Sequence, residues 1–161
     1  MQKITRRAAM LGAIALVSAC AGPKSNGLDP YRNQKFDPPL YVNETPKLRF
    51  LINKYADHYE VPRSLVHRII LRESHHRPEA RNGPYFGLMQ LLPATAKGMG
   101  YRGSPSGLLD AETNLNFGVK YLRGAWLVSN GSQDAAESWY SKGYYYEAKR
   151  RGMLVETGLR R

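Results

Sequence analysis

The chain has 161 residues, of which 42% are hydrophobic and 23% charged, the make-up of one ordinary globular domain rather than several domains or a disordered tail. Lysine and arginine number 24 against 13 acids, a formal charge of +11 that favours an anionic partner without naming one. A lone cysteine, Cys20, excludes an internal disulfide framework and any multi-cysteine zinc or iron–sulfur site.

Met1 to Arg7 is basic, and Ala8 to Ala19 is a small, apolar run of twelve residues. That pattern predicts an export signal over 1–19, too short to span a bilayer. Its end, Leu16-Val17-Ser18-Ala19-Cys20, resembles the lipobox of bacterial lipoproteins, which implies cleavage before Cys20 and acylation of that residue. An unmodified thiol in a loop is the other reading of Cys20. Thr5-Arg6-Arg7 is similar to a twin-arginine export box, with Ala9 where a bulky apolar residue is usual, so the export route stays open. Without residues 1–19 the chain keeps a formal charge of +8, so the basic excess belongs to the remainder. From Cys20 to Pro46, five prolines among Gly, Asn and Lys predict a lipidated N-terminus followed by an extended tether.

A domain is expected over 47–150. Leu48, Leu51, Ile52, Tyr55 and Tyr59 recur at three- and four-residue spacing and predict an amphipathic helix. Pro62 suits the first turn of a second helix, which carries Leu65, Val66, Ile69 and Ile70 and runs through Glu73. Pro93 opens a short third helix that fails at Gly98 and Gly100. Asp110 is placed to cap a long helix through about Val128, stopped by Asn130-Gly131, and Ser132 to cap the next. A last helix is expected over Tyr145 to Arg151, followed by a basic tail over 151–161. Period-two alternation is nearly absent, so the fold class is mainly α.

Glu73 lies three and seven positions after Ile70 and Val66 and four after Ile69, which sends its side chain off the apolar face of the second helix. A carboxyl held against apolar groups is poorly solvated as an anion and retains its proton, as a general acid in glycoside cleavage must. The same spacing fits a glutamate that closes the helix by pairing with Arg72 or Arg77.

Four segments bear on that choice: Glu73-Ser74-His75-His76-Arg77-Pro78-Glu79-Ala80; Gly87-Leu88-Met89-Gln90-Leu91-Leu92-Pro93-Ala94-Thr95-Ala96; Leu109 to Leu122; and Glu137-Ser138-Trp139-Tyr140-Ser141-Lys142-Gly143. In that order they resemble the motifs of the Slt-type lytic transglycosylases, lysozyme-like enzymes of bacterial cell walls. The resemblance covers essentially all of 47–150 and implies a single lysozyme-like helical domain with a substrate groove. It further implies cleavage of peptidoglycan between N-acetylmuramic acid and N-acetylglucosamine, with Glu73 as the catalytic acid and base and a 1,6-anhydro product.

Gln90 falls at the glutamine of the G-L-M-Q motif, where it is expected to donate hydrogen bonds near the substrate or the catalytic carboxyl. Tyr140 falls at the tyrosine of the family's A-Y-N-A-G segment. Ser74 is a further expected substrate contact, or a brace for the turn after Glu73. Asn82 stands where a serine is common, and Ser141-Lys142 replaces Asn-Ala. Tyr85, in a compact loop with Phe86, is placed either to stack on a sugar face or to pack. Met89 reads as core.

No cofactor is expected, and no metal: His75-His76 lacks the H-E-x-x-H spacing, and adjacent histidines point apart. Of the tyrosines at 144–146, one face is expected to pack. Nucleic acid is set aside as partner because no recognisable module is present. The expected partners are peptidoglycan strands and, through the lipid on Cys20, a membrane; Ala21 after the cysteine favours the outer membrane facing the periplasm. Two other functions fit the same residues. One is a hydrolytic muramidase of goose-lysozyme type; the other is a wall-binding scaffold without catalysis.

Overall fold

The computed structural model describes residues 38–160, so the expected signal over 1–19, Cys20 and most of the tether lie outside the described residues. Helix α1 spans Pro46–His58 and starts where its sequence allows a start: Pro46 needs no donor in the first turn, and the Thr45 hydroxyl accepts from Leu48 N at 3.1 Å. It buries Leu48, Ile52 and Ala56. Helix α2, Arg63–Ser74, buries Leu65, Val66, Ile69 and Ile70.

A two-residue antiparallel pair follows, β1 (Arg81–Asn82) and β2 (Tyr85–Phe86), where the sequence predicts only a compact loop. Gly83 has φ +56° at the first position of its turn, a sign of φ that hairpin turns of the primed types require. Helix α3 covers Pro93–Gly98, a 3-10 turn covers Pro105–Leu109, and the long helix α4 covers Ala111–Val128. Asp110 caps α4 by accepting from Thr113 N at 2.8 Å. Ser132 caps α5, Gln133–Lys142, by accepting from Ala135 N at 3.2 Å. Helix α6 spans Tyr145–Arg150.

Helix α4 is central. Its Leu115, Val119, Leu122 and Ala125 are fully buried, and it packs against α1, α5, α3 and the 3-10 turn. Leu115, Val119 and Leu122 each contribute roughly 1.5–3 kcal/mol on leaving water. A second cluster of Phe86, Leu91, Ala96, Tyr101 and Leu108 sits beneath the hairpin. Among the described residues no helix is long and apolar enough to cross a membrane.

Two boundaries differ from expectation. Residues 38–45 are not loose tether: Arg49 donates to Pro38 O at 2.8 Å and Pro39 O at 3.2 Å, and the Tyr41 ring stacks on His76 at 4.9 Å. The basic end folds back as well, because Met153, Leu154 and Leu159 pack on the main core and Thr157 is buried. The tyrosine run divides as expected, with Tyr144 buried and Tyr145 and Tyr146 exposed.

Candidate active site

Glu73 is the penultimate residue of α2, and the chain turns sharply after it. His75 and His76 both take left-handed backbone, φ 52° and 60°. For non-glycine residues each such conformation costs on the order of 1 kcal/mol or more, so surrounding contacts must hold the turn. Asn43 Nδ2 donates to His75 O at 3.0 Å, and His76 is buried against both the Tyr41 ring and His67. His67 Nδ1 and His76 Nε2 lie 3.3 Å apart, and His67 Nε2 lies 3.4 Å from Asn53 Oδ1. With the proton on His67 Nε2 directed at that oxygen, Nδ1 accepts from His76. Burial depresses His67 to about 3, so it is neutral. His75 points out and His76 in, as adjacent histidines are expected to do.

Glu44, His67 and His76 bring three potential metal-ligand atoms within 4.8 Å. Both Glu44 oxygens, however, take the fork of Arg49, from Nε at 2.7 Å and from Nη2 at 2.6 Å, and Oε2 also accepts from Tyr41 N at 3.0 Å. The guanidinium already supplies the positive charge a cation would bring, so this cluster is a buried ion pair bracing the strained turn.

Two cavities meet at Glu73. One, of about 340 Å³, is lined by Arg72, Glu73, Asn82, Tyr85, Gln90, Tyr140 and Ser141. The other, of about 440 Å³, is lined by Glu73, Arg77, Glu79, Ala80, Arg81, Asn82 and Gln90. Sharing Glu73, Asn82 and Gln90, they form one groove with the carboxylate between its halves. The structure thus brings Glu73, Gln90, Tyr140, Asn82 and Tyr85 together, with Tyr85 41% exposed.

Ser74 does not join them. One residue further round the helix, it faces the interior, is buried, and donates its hydroxyl to Ile70 O at 3.2 Å. It braces the end of α2 and does not touch the groove.

The surroundings of Glu73 also differ from the apolar setting its spacing suggests. Its Oε1 accepts from Arg72 Nε at 3.0 Å and, more closely, from Nη2. Arg72 in turn donates to Glu137 Oε1 at 2.6 Å and to Ser141 Oγ at 2.8 Å. The arginine pairing that the sequence left open is therefore formed, within a groove whose walls are largely polar.

Gln90 is held in an unusual backbone conformation, φ 44°, and its Nε2 donates to Ala80 O at 3.1 Å and Gly87 O at 2.9 Å. Both amide hydrogens are spent on the loop, which corrects the expectation that Gln90 donates into the groove; its carbonyl oxygen is what it offers. Tyr140 donates to Met89 O at 2.7 Å. Burial, with the Glu73 charge adding to it, holds the Tyr140 phenol far above its ordinary range, so the hydroxyl stays protonated. Met89 is core, fully buried, with its sulfur against α4 at Gly118, where an added Cβ would lie 2.6 Å from it.

Asn114 is the residue that sequence reasoning missed. Fully buried on α4, it donates from Nδ2 to Phe86 O and Leu108 O, each at 2.8 Å, and accepts from Met89 N at 2.9 Å. It pins the segment that presents Gln90 and receives Tyr140. Its signal was its place immediately before Leu115, at the start of the buried face of α4: a polar side chain there needs partners.

The family model described as Transglycosylase SLT domain matches residues 50–149. Among curated proteins the chain is 32% identical to the soluble lytic murein transglycosylase of Escherichia coli strain K12, over 58% of this chain and 16% of that one. It is 35% identical to membrane-bound lytic murein transglycosylase C of Haemophilus influenzae strain PittEE, over 57% of this chain and 27% of that one. It is 36% identical to membrane-bound lytic murein transglycosylase F of Desulfosudis oleivorans, over 55% and 19% respectively. The chain thus spans about a quarter or less of the length of these relatives. No solved structure matches at comparable significance.

Proposed function

The chain belongs to the transglycosylase SLT domain family, and from that premise we propose that it is a lytic transglycosylase cutting peptidoglycan between N-acetylmuramic acid and N-acetylglucosamine. The observation that carries this reading is Glu73, the one carboxylate common to the linings of two adjoining cavities, which supports a sugar on either side of a scissile bond.

In the proposed reaction Glu73, as the acid, gives its proton to the glycosidic oxygen while the bond from the muramoyl anomeric carbon to that oxygen breaks. N-acetylglucosamine leaves with a free hydroxyl. The 6-hydroxyl oxygen of the same muramoyl residue then bonds to the anomeric carbon, and its proton returns to Glu73, leaving a 1,6-anhydro end and the enzyme unchanged. Because the attacking hydroxyl is tethered to the reacting sugar, proximity replaces the capture of a water. Tyr140 lines the groove with its hydroxyl proton committed to Met89 O, so toward a neighbouring protonated carboxyl it can only accept. Asn82, the Gln90 carbonyl and the Tyr85 ring supply polar and stacking contacts for the sugars.

The leader and Cys20 complete the reading: export, acylation of Cys20, and attachment to the outer membrane facing the periplasm. Fatty-acid labelling is expected to tag the wild-type chain and not Cys20→Ala; equal labelling would reject the anchor.

Digestion of purified peptidoglycan followed by mass analysis tests the activity. Anhydro ends are expected. Reducing ends would identify a hydrolytic muramidase, and no release would identify a wall-binding scaffold. Glu73→Gln preserves shape and removes the acid, so cleavage is expected to fall by roughly two to four orders of magnitude while saccharide binding persists. An undiminished rate would reject the mechanism.

A further inference from the structure

Each arginine of α2 is held in an ion pair: Arg63 with Asp57, Arg68 with Asp134 and Glu137, and Arg72 with Glu73 and Glu137. Two arginines just beyond that helix are not. Arg77 and Arg81 are exposed side chains on the lining of the cavity of about 440 Å³, and among the described residues neither forms an ion pair. Glu79 shares that lining. With Glu73 already taken by Arg72, this half of the groove holds two positive groups against one negative. The other half has no such surplus, because its arginine, Arg72, is bonded to Glu73, Glu137 and Ser141.

Both guanidinium groups are positioned, and both keep donors to give. Arg77 Nε donates to Ser74 O at 3.0 Å, which leaves Nη1 and Nη2 without a hydrogen bond among the described residues. Arg81 stands opposite Phe86 in the β1–β2 pair, its guanidinium carbon 4.8 Å from the centre of that buried ring. A guanidinium over a ring is held there by its charge and spends none of its N–H groups. Between the two arginines, Ala80 N donates to Arg77 O at 3.2 Å, and Gly87 N donates to Ala80 O at 2.7 Å. One braced turn therefore carries both.

We propose that Arg77 and Arg81 form a carboxylate-binding subsite that reads an acidic substituent of the glycan strand on one side of Glu73. The proposal rests on the function argued above. The anionic groups of a peptidoglycan strand itself are carboxylates. Each muramoyl residue bears a lactyl arm whose carboxyl is either free or joined to a peptide stem, and the stem has carboxyls of its own. An arginine fork matches a carboxylate in both shape and charge. Because only one half of the groove holds the surplus charge, the same contact sets which way round a strand lies.

The test measures binding of the full chain carrying Glu73→Gln, which leaves the strands uncut, to purified peptidoglycan and to the same material with its carboxyls converted to amides. The unconverted material is expected to bind about tenfold more tightly. Arg77→Gln together with Arg81→Gln should close that gap, with about threefold lost for either alone. Arg81→Lys keeps the charge and should keep part of the preference. Lys97→Gln with Lys149→Gln removes the same charge from exposed positions elsewhere and should leave the gap as it is. A gap untouched by the arginine pair, or one that the lysine pair closes equally, would overturn the proposal. Should Arg77→Gln unfold the turn it holds through Ser74 O, Arg81→Gln carries the test alone, and an unchanged gap there is equally fatal. Strands stripped of their stems by an amidase identify the source. A gap between these and their amidated form assigns the lactyl carboxylate, and its absence assigns the stem. Cleavage by the wild-type chain is scored separately. No cleavage with an arginine-dependent gap removes the proposed function and keeps the subsite; cleavage with an arginine-independent gap does the reverse.

Discussion

The Tyr140 hydroxyl spends its proton on Met89 O at 2.7 Å and leaves only lone pairs for the groove. Tyr140→Phe therefore removes an acceptor beside Glu73 and strips a buried carbonyl of its partner. We expect a stability loss of about 1–2 kcal/mol by urea denaturation and a fall in peptidoglycan cleavage of roughly tenfold or more. Because the phenol stays protonated, the ratio of mutant to wild-type rate should not vary with pH near neutrality.

Asn114→Leu keeps the volume and removes three hydrogen bonds, leaving Phe86 O, Leu108 O and Met89 N without that partner. A loss on the order of 3 kcal/mol is expected by urea denaturation, and the loosened 86–90 segment should raise KM for peptidoglycan. Gly118→Ala probes the same segment from the other side, since its Cβ would lie 2.6 Å from Met89 Sδ. Overpacking there should cost about 1–3 kcal/mol.

Stability should fall in mild acid, before carboxylates titrate. His67 drops from 6.5 in the unfolded chain to about 3 in the fold, and His76 is lowered too, in both cases mainly by burial. The unfolded chain then binds protons the folded one refuses, so unfolding free energy declines as pH drops below 6.5, by up to roughly 1.4 kcal/mol per pH unit for each histidine. Glu44 acts in a lower window. Burial raises it, but the bonds from Arg49 and Tyr41 N outweigh that and hold it below 4.5, so its contribution is lost only as pH falls beneath that value. Urea midpoints at neutral and mildly acid pH should show a steep decline in wild type and a shallower one in His67→Gln; equal slopes would contradict the assignment.

Arg49→Met leaves the Glu44 carboxylate, whose side chain is fully buried, without its fork. Breaking one side of such a pair costs about 3–5 kcal/mol, measurable by urea denaturation. Replacing both partners, Arg49→Met with Glu44→Leu, should recover part of it, because no buried charge remains uncompensated.

The helices were legible because their ends are written locally. Asp110 and Ser132 cap the helices their positions suggest, and Pro93 opens α3. Glu73, Gln90 and Tyr140 were legible through ordered motifs, and all three line the groove. What escaped depends on reach and on distant contacts. Helical spacing gives the direction in which Glu73 leaves α2, but not that the long side chain of Arg72 curls back onto it. Ser74 is one step round the helix from Glu73, enough to turn it into the core. Proline-rich composition suggested an extended tether as far as residue 46, and only the folded chain shows the turn from Tyr41 to Glu44 and Arg49 collecting the carbonyls of Pro38 and Pro39. Charge suggested a solvated end at 151–161, and three apolar residues there, Met153, Leu154 and Leu159, decided otherwise.

Pro38 and Pro39 give their carbonyls to Arg49, while Asn43 holds His75, two residues past Glu73. The stretch between Pro38 and Asn43 is consequently fastened at two places, to α1 through one guanidinium and to the turn beyond α2 through one amide. Like a hem sewn along two edges, it joins the start of the first helix to the corner where the second one ends.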